Sequence, residues 1–133
     1  MYEARIRERV GLRIDEVSAE NLQHGEALAT RREAERVRTR MLDGSWTVAL
    51  DPAGKVPGSS EILAQWLGRR LEVPLPTTFL IGGAAGLDPD LVAEANERMS
   101  LGPLTLPHQL ARVILAEQLY RALCILAGHP YHH

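Results

Sequence analysis

Three glycines, Gly82, Gly83 and Gly86, close the β-prone run at residues 77–81, and a second turn-forming cluster, Asp51-Pro52-Ala53-Gly54-Lys55, follows the run SWTVAL at 45–50. Glycine turns at the carboxyl ends of parallel strands are where open α/β sheets hold ligands, because backbone N–H groups and helix starts face the crevice there. The spacing is not G-x-G-x-x-G and no phosphate-loop lysine follows the glycines, so the turn alone specifies no nucleotide. A third irregular segment, the Gly/Pro-broken apolar loop at 100–106, precedes a helix start at Pro107-His108. If these three segments open toward one edge, they form a pocket lined by backbone polar groups, with Leu50, Gly82 and the loop at its rim.

The titratable side chains narrow the chemistry further. His129, His132 and His133 cluster at the end of the chain, with His108 and His24 earlier. Zinc sites want ligands on a fixed element backed by further partners, and a chain end with no nearby carboxylate offers neither, so no metal is expected. The Tyr131-His132 pair reads either as an aromatic, hydrogen-bonding arm able to close over a substrate or as a fraying tail. No G-x-S-x-G elbow is present, and Cys124 falls within an apolar helix as a packed thiol, so covalent catalysis is not expected. In that helix Arg112, Glu117 and Arg121 interrupt the apolar run, and Glu117 and Arg121 have the i, i+4 spacing of an ion pair.

Elements must exist to position these groups. Helices are expected at 2–10 and at 30–42, the latter with Ala34, Val37 and Met41 on one face, with a strand near Leu12, Ile14 and Val17 between them. A strand at 45–50 empties into the Asp51–Lys55 turn cluster. Ser59 or Ser60, followed by Glu61, caps a helix running through Arg70 whose Ile62, Leu63, Trp66 and Leu67 form an apolar stripe. After the strand at 77–81, Asp88-Pro89 starts a further helix carrying Leu91, Val92 and Ala95. Strands alternating with helices imply an α/β fold with a parallel sheet covered on both faces. The last helix, 108–127, is apolar almost all round. Burial against the sheet alone would leave that surface in water, so a second copy of the chain, a homodimer, is the simplest cover.

Composition sets outer bounds. The 133 residues suit one domain, and 45% hydrophobic residues can build its core. The 15 Lys+Arg against 17 Asp+Glu give a net charge of −2, which excludes a basic nucleic-acid coat and requires any RNA binding to be local. Charge is concentrated early, with nine arginines and nine acids in residues 1–44. Aromatics at 5% argue against a base-stacking platform. A single cysteine forbids an internal disulfide and fits a reducing compartment. No signal peptide and no apolar run near the about eighteen residues needed to span a bilayer are present, so a soluble, cytoplasmic protein without a membrane partner is expected.

The ordered motifs resemble a known family. Leu50-Asp51-Pro52-Ala53-Gly54-Lys55 with Ser59-Ser60, Phe79-Leu80-Ile81-Gly82-Gly83, Gly86-Leu87, Ser100-Leu101, Leu104-Thr105-Leu106-Pro107-His108, Arg112-Val113, Glu117 through Ala122 and His129-Pro130-Tyr131-His132 are similar to the RlmH-type methyltransferases of the SPOUT superfamily. The resemblance covers essentially the whole chain, so 1–133 reads as a single SPOUT domain. It implies a parallel-sheet fold with a C-terminal trefoil knot, a rare exception to the rule against threaded chains. It further implies S-adenosyl-L-methionine as cofactor, a homodimer, and methylation of N3 of a pseudouridine in 23S ribosomal RNA on the assembled ribosome. Cofactor contacts would fall on Leu50, Gly82, Leu101, Gly102, Pro103, Leu104, Thr105 and Leu106. His108, Arg112, Glu117, Tyr131 and His132 are the candidates for orienting the acceptor and handling its proton. Family members carry a longer N-terminus, so this chain reads as lacking the usual first strand, and Ala84-Ala85 stands where the family has polar residues. Two rival readings are a non-catalytic dimeric module that associates with RNA or the ribosome and, more remotely, a hydrolase using a metal on the terminal histidines.

Overall fold

The computed structural model describes residues 13–15, 31, 32, 35, 44–82, 87–102, 104 and 106–128. The described elements are β1 (Arg13–Asp15), β2 (Trp46–Lys55), α1 (Ser60–Leu71), β3 (Thr77–Leu80), α2 (Pro89–Glu94), β4 (Glu97–Met99) and α3 (His108–Leu126). The four strands form one sheet in the order β1-β3-β2-β4, and every pairing in it is parallel. The expected helix at 2–10 and the expected absence of an earlier strand lie outside the described residues. Of the expected helix at 30–42, Arg31, Arg32 and Glu35 are described, and all three are helical.

Parallel pairing demands crossovers, and burial follows from them. All four residues of β3 are buried, as are Thr47, Val48 and Ala49 of β2, so both faces of these central strands are covered. On one face Val48 and Phe79 meet Leu63, Ala64 and Leu67 of α1 and Leu115, Leu119 and Leu123 of α3 in a single core. The two helices approach closely at Gly68, where a Cβ would lie 3.3 Å from Leu126 Cδ2.

Local signals explain where the helices begin. Ser59 Oγ accepts a hydrogen bond from the backbone N–H of Ile62 at 3.1 Å, and Glu61 sits in the first turn with Arg69 and Arg70 in the last, charges that complement the helix dipole. The buried face of α1 is Leu63, Ala64 and Leu67, with Trp66 half-buried; Ile62 is exposed, so the expected stripe is narrower at its first turn. Asp88 caps α2 by accepting from the N–H groups of Asp90 and Leu91. Ala95, expected within that helix, instead turns the chain into extended backbone.

Two expectations about strands need correction. The strand expected to end at Leu50 continues to Lys55, and both Leu50 and Lys55 are in register with Met99 of β4. Residues 51–54 therefore form a bulge on a strand that returns to the sheet. The turn formers serve this bulge: Gly54 lies against β4 so closely that a Cβ there would sit 2.7 Å from Met99 N, and the Lys55 carbonyl accepts from Ser100 N at 3.0 Å. The second correction is β4, a three-residue edge strand that was not anticipated, because Glu97-Arg98-Met99 shows no alternation and is extended by its pairing with β2.

Candidate cofactor crevice at the carboxyl edge of the sheet

Register decides which loops meet. Ala49 is level with Leu80, and Leu50 is level with Met99, so the start of the β2 bulge and the segments that follow β3 and β4 lie at one edge of the sheet. Leu50, Ile81-Gly82 and Ser100-Leu101-Gly102 are thereby neighbours. Leu50, Ile81 and Leu101 are partly buried and rest on the core, which fixes one side of each while leaving the other accessible.

The turn at Ser100 is held by its own side chain. Ser100 is buried; its hydroxyl accepts from Gly102 N at 3.0 Å and donates to Gly102 O at 3.0 Å, while its backbone N–H is tied to Lys55. Gly102 has φ +126°, a conformation side chains rarely adopt, and no atom lies within 4 Å of where its Cβ would be. The glycine thus meets open space. Of the remaining expected cofactor residues, Leu106 is half-buried and Leu104 is 78% exposed. Pro103 and Thr105 lie outside the described residues, as do Gly83 to Gly86.

Half-buried aliphatic side chains beside backbone polar groups, with free space over a glycine, suit an adenosine-type group: apolar surface for the ring, N–H and C=O groups for its edge. The described residues able to hold such a cofactor are Leu50, Gly82, Leu101, Gly102 and Leu106. Ser100, which sequence reasoning took only as the start of the loop, is the residue that shapes it. Its signal was a serine two residues before a glycine, a spacing from which a short side chain can bond the backbone.

The candidate chemical residues separate into groups. His108 opens α3 and Arg112 lies one turn on, so the two share a face; both are half-buried and engaged with other groups. Glu117 is nine residues beyond His108, about 13 Å along the helix axis. One of its carboxylate oxygens accepts from Arg121 Nε and Nη2, and the other accepts from Gln118 Nε2 at 2.7 Å. Glu117 is accordingly committed to the ion pair. Tyr131, His132 and the other terminal histidines lie outside the described residues. Cys124 is buried, and among the described residues no three His, Cys, Asp or Glu side chains come together as metal ligands. Among the described residues, no helix is long and apolar enough to cross a membrane.

A parallel α/β sheet with loops converging at its carboxyl edge is a ligand-binding architecture, and a family model described as "Predicted SPOUT methyltransferase" matches residues 1–132. The chain belongs to the SPOUT methyltransferase family. It is 51% identical over 102 residues to Ribosomal RNA large subunit methyltransferase H of Acidiphilium cryptum, a match covering 77% of this chain and 64% of that one. With the protein of the same name from Gluconacetobacter diazotrophicus it shares 42% identity over 131 residues, 96% of this chain and 84% of the relative. A third, from Gemmatimonas aurantiaca, is 48% identical over 101 residues, 76% of this chain and 65% of the relative. The matches thus span less than two thirds of the length of the first and third of these relatives.

Proposed function

We propose that this protein transfers a methyl group from S-adenosyl-L-methionine to large-subunit ribosomal RNA, and that the acceptor is N3 of a pseudouridine in 23S RNA presented by the assembled ribosome. The observation that carries the reading is the meeting of Leu50, Gly82 and the Ser100–Gly102 turn at one sheet edge, in a chain whose relatives are named for methylating that RNA. The cofactor, when bound, supplies a sulfonium methyl that needs no further activation. What remains for the protein is placement of the acceptor nitrogen in line and disposal of its proton. Arg112, Tyr131 and His132 orient the acceptor, and His108 or His132 holds the proton, histidine being the side chain whose ordinary pKa lies nearest neutrality. Glu117 braces α3 through Arg121. The loop at 100–106 belongs to a C-terminal knot in this reading, and the protein works in the cytoplasm.

The functional unit is a homodimer. On α3 the side chains of Leu110 and Val113, one turn apart, are 46% and 57% exposed, an apolar surface on the helix that already supplies the core from its other side. A second copy covers it. Sedimentation at micromolar concentration gives a dimer, and a monomer there removes this part of the reading.

The decisive assay follows methyl transfer to a naked stem-loop, isolated large subunits and whole ribosomes, all lacking the modification. Transfer to N3 in the ribosomal substrates, with little on the naked fragment, is expected, since a chain of net charge −2 has no broad basic field to grip free RNA. Equal rates on the naked fragment refute the dependence on the particle, and no transfer to any of the three, with no binding of the cofactor, leaves the non-catalytic module.

A further inference from the structure

A second concavity is lined by residues other than those of the crevice. It is a cleft of about 570 Å³ between the β2 bulge, with Ala53, Gly54 and Lys55, and the α2–β4 segment, with Ala95, Asn96 and Arg98. We propose that it binds the phosphodiester backbone of the RNA strand that carries the acceptor nucleotide, an inference that rests on the methyltransferase reading for the identity of the strand.

Charge is the first argument. Lys55 is the only lysine in the chain, and Lys55 and Arg98 are both exposed. Elsewhere between residues 44 and 128 the cations are mostly committed: Arg70 stacks on Trp46 at 4.0 Å, Arg121 pairs with Glu117, and Arg112 is engaged. The side chains of Lys55 and Arg98 make no ion pair or hydrogen bond among the described residues. Among the described lining residues the one acid, Glu97, makes no ion pair with either cation, because its carboxylate is turned to neutral donors. Trp46 Nε1 donates to Oε2 at 2.8 Å, and Trp66 Nε1 donates to Oε1 and Oε2 at 3.1 and 3.0 Å. Counting that acid, the described lining residues keep a net charge of +1.

Hydrogen bonding is the second. Asn96 Oδ1 accepts from the backbone N–H of Thr47 at 2.8 Å and from its hydroxyl at 3.1 Å. An obligate donor such as Thr47 N–H fixes that atom as the oxygen, which leaves the amide NH₂ as two neutral donors held at the cleft wall. Cations plus a fixed amide donor match phosphate oxygens, and the small side chains of Ala53 and Ala95 with Gly54 let a sugar-phosphate chain approach closely. Among the described residues, no aromatic ring lines the cleft. A base has nothing to stack on there, which favours a polymer held by its backbone over a free nucleotide.

The test uses the whole protein with large subunits lacking the modification. Lys55→Ala and Arg98→Ala should each raise KM for the subunit roughly five- to tenfold and lower the salt slope of binding by about one, with kcat and cofactor affinity unchanged. Arg98→Lys and Lys55→Arg should restore most of the loss. Because Lys55 is the only lysine, mass spectrometry after amine-reactive labelling isolates it, and saturating subunits should protect it. Unchanged KM and salt slope with Lys55 labelled at its free rate overturns the proposal. If no methyl is transferred but Lys55 is protected, the methyltransferase reading falls and the cleft stands; transfer without protection overturns the cleft alone.

Discussion

The two ends of the sheet are built on opposite plans. At the amino end the side chains bond one another: both tryptophans of the chain donate to Glu97, Arg70 covers Trp46, Thr47 and Asn96 exchange three hydrogen bonds, and Trp66 tilts against Phe79 with ring centroids 5.9 Å apart. At the carboxyl edge Leu50, Ile81 and Leu101 pack on the core, and among the described residues the Ser100 hydroxyl bonds only to its own turn. The first end commits most of its polar groups within the molecule, the Asn96 amide NH₂ aside, and the second, in the proposed reading, offers backbone polar groups to a ligand. A substitution at one end should therefore cost stability, and at the other should cost binding.

The largest stability effect is expected from Glu97→Ala. It strands two half-buried indole N–H groups and frees the edge strand β4, where hydrogen bonds to a charged acceptor contribute about 1.5–3 kcal/mol each before compensation. We expect a loss of about 2–4 kcal/mol in denaturant unfolding, with cofactor affinity in the folded fraction unchanged within about twofold. A stable Glu97→Ala protein that has lost cofactor binding would reverse the assignment of the two ends. Trp46→Phe sharpens the same point: one of the indole donors is removed while Trp66 still satisfies the carboxylate, so about 1 kcal/mol is expected.

Gly102→Val is the reciprocal change. A branched side chain at φ +126° strains the backbone by about 1–3 kcal/mol and places its methyls in the open space beside the turn. Isothermal titration with S-adenosyl-L-methionine should give at least about tenfold weaker binding in a protein that still folds, the methyls displacing ligand surface at about 25 cal/mol per Å². Gly82→Val, at the neighbouring strand end, should behave in the same way. Unchanged affinity in both would remove the crevice as the cofactor site.

Much of this division could be read from the chain, and the unread parts share a cause. Ser59 and Glu61 announced α1, Asp88-Pro89 announced α2, and the nearly continuous apolar run from residue 108 announced α3, because caps and helical periodicity are local signals. The start of β2 near Trp46 and the extent of β3 to within one residue were legible for the same reason. The β2 bulge, β4 and the Trp46–Glu97–Trp66 group were not. Each depends on pairing between residues 31 to 51 positions apart in sequence, and a single sequence carries no trace of which acid two distant indoles will share. The turn formers at 51–55 were read correctly as a break in regular extension but wrongly as an exit from the sheet, since only contact with β4 distinguishes a bulge from a loop.

The smallest effect, and the one that separates shape from contact at the carboxyl edge, is expected from Ser100→Ala. The hydroxyl makes two bonds to Gly102, each contributing about 1 kcal/mol at most, and its removal leaves the Gly102 N–H to find water at a turn that is itself half-exposed. The backbone bond from Ser100 N to Lys55 O survives, so β2 and the loop stay joined. The conformation at Gly102 also survives, because glycine tolerates φ +126° with or without the serine. Stability should fall by about 1 kcal/mol, which for a domain of this size is a few degrees in Tm. Cofactor affinity should fall about three- to fivefold, because the turn must now be ordered by the ligand instead of being ordered in advance. Ser100→Thr keeps the hydroxyl and should recover affinity if the turn is what matters. A Ser100→Ala protein that binds as well as the parent while Gly102→Val does not would mean that the glycine acts through the space above it, with the serine serving stability alone.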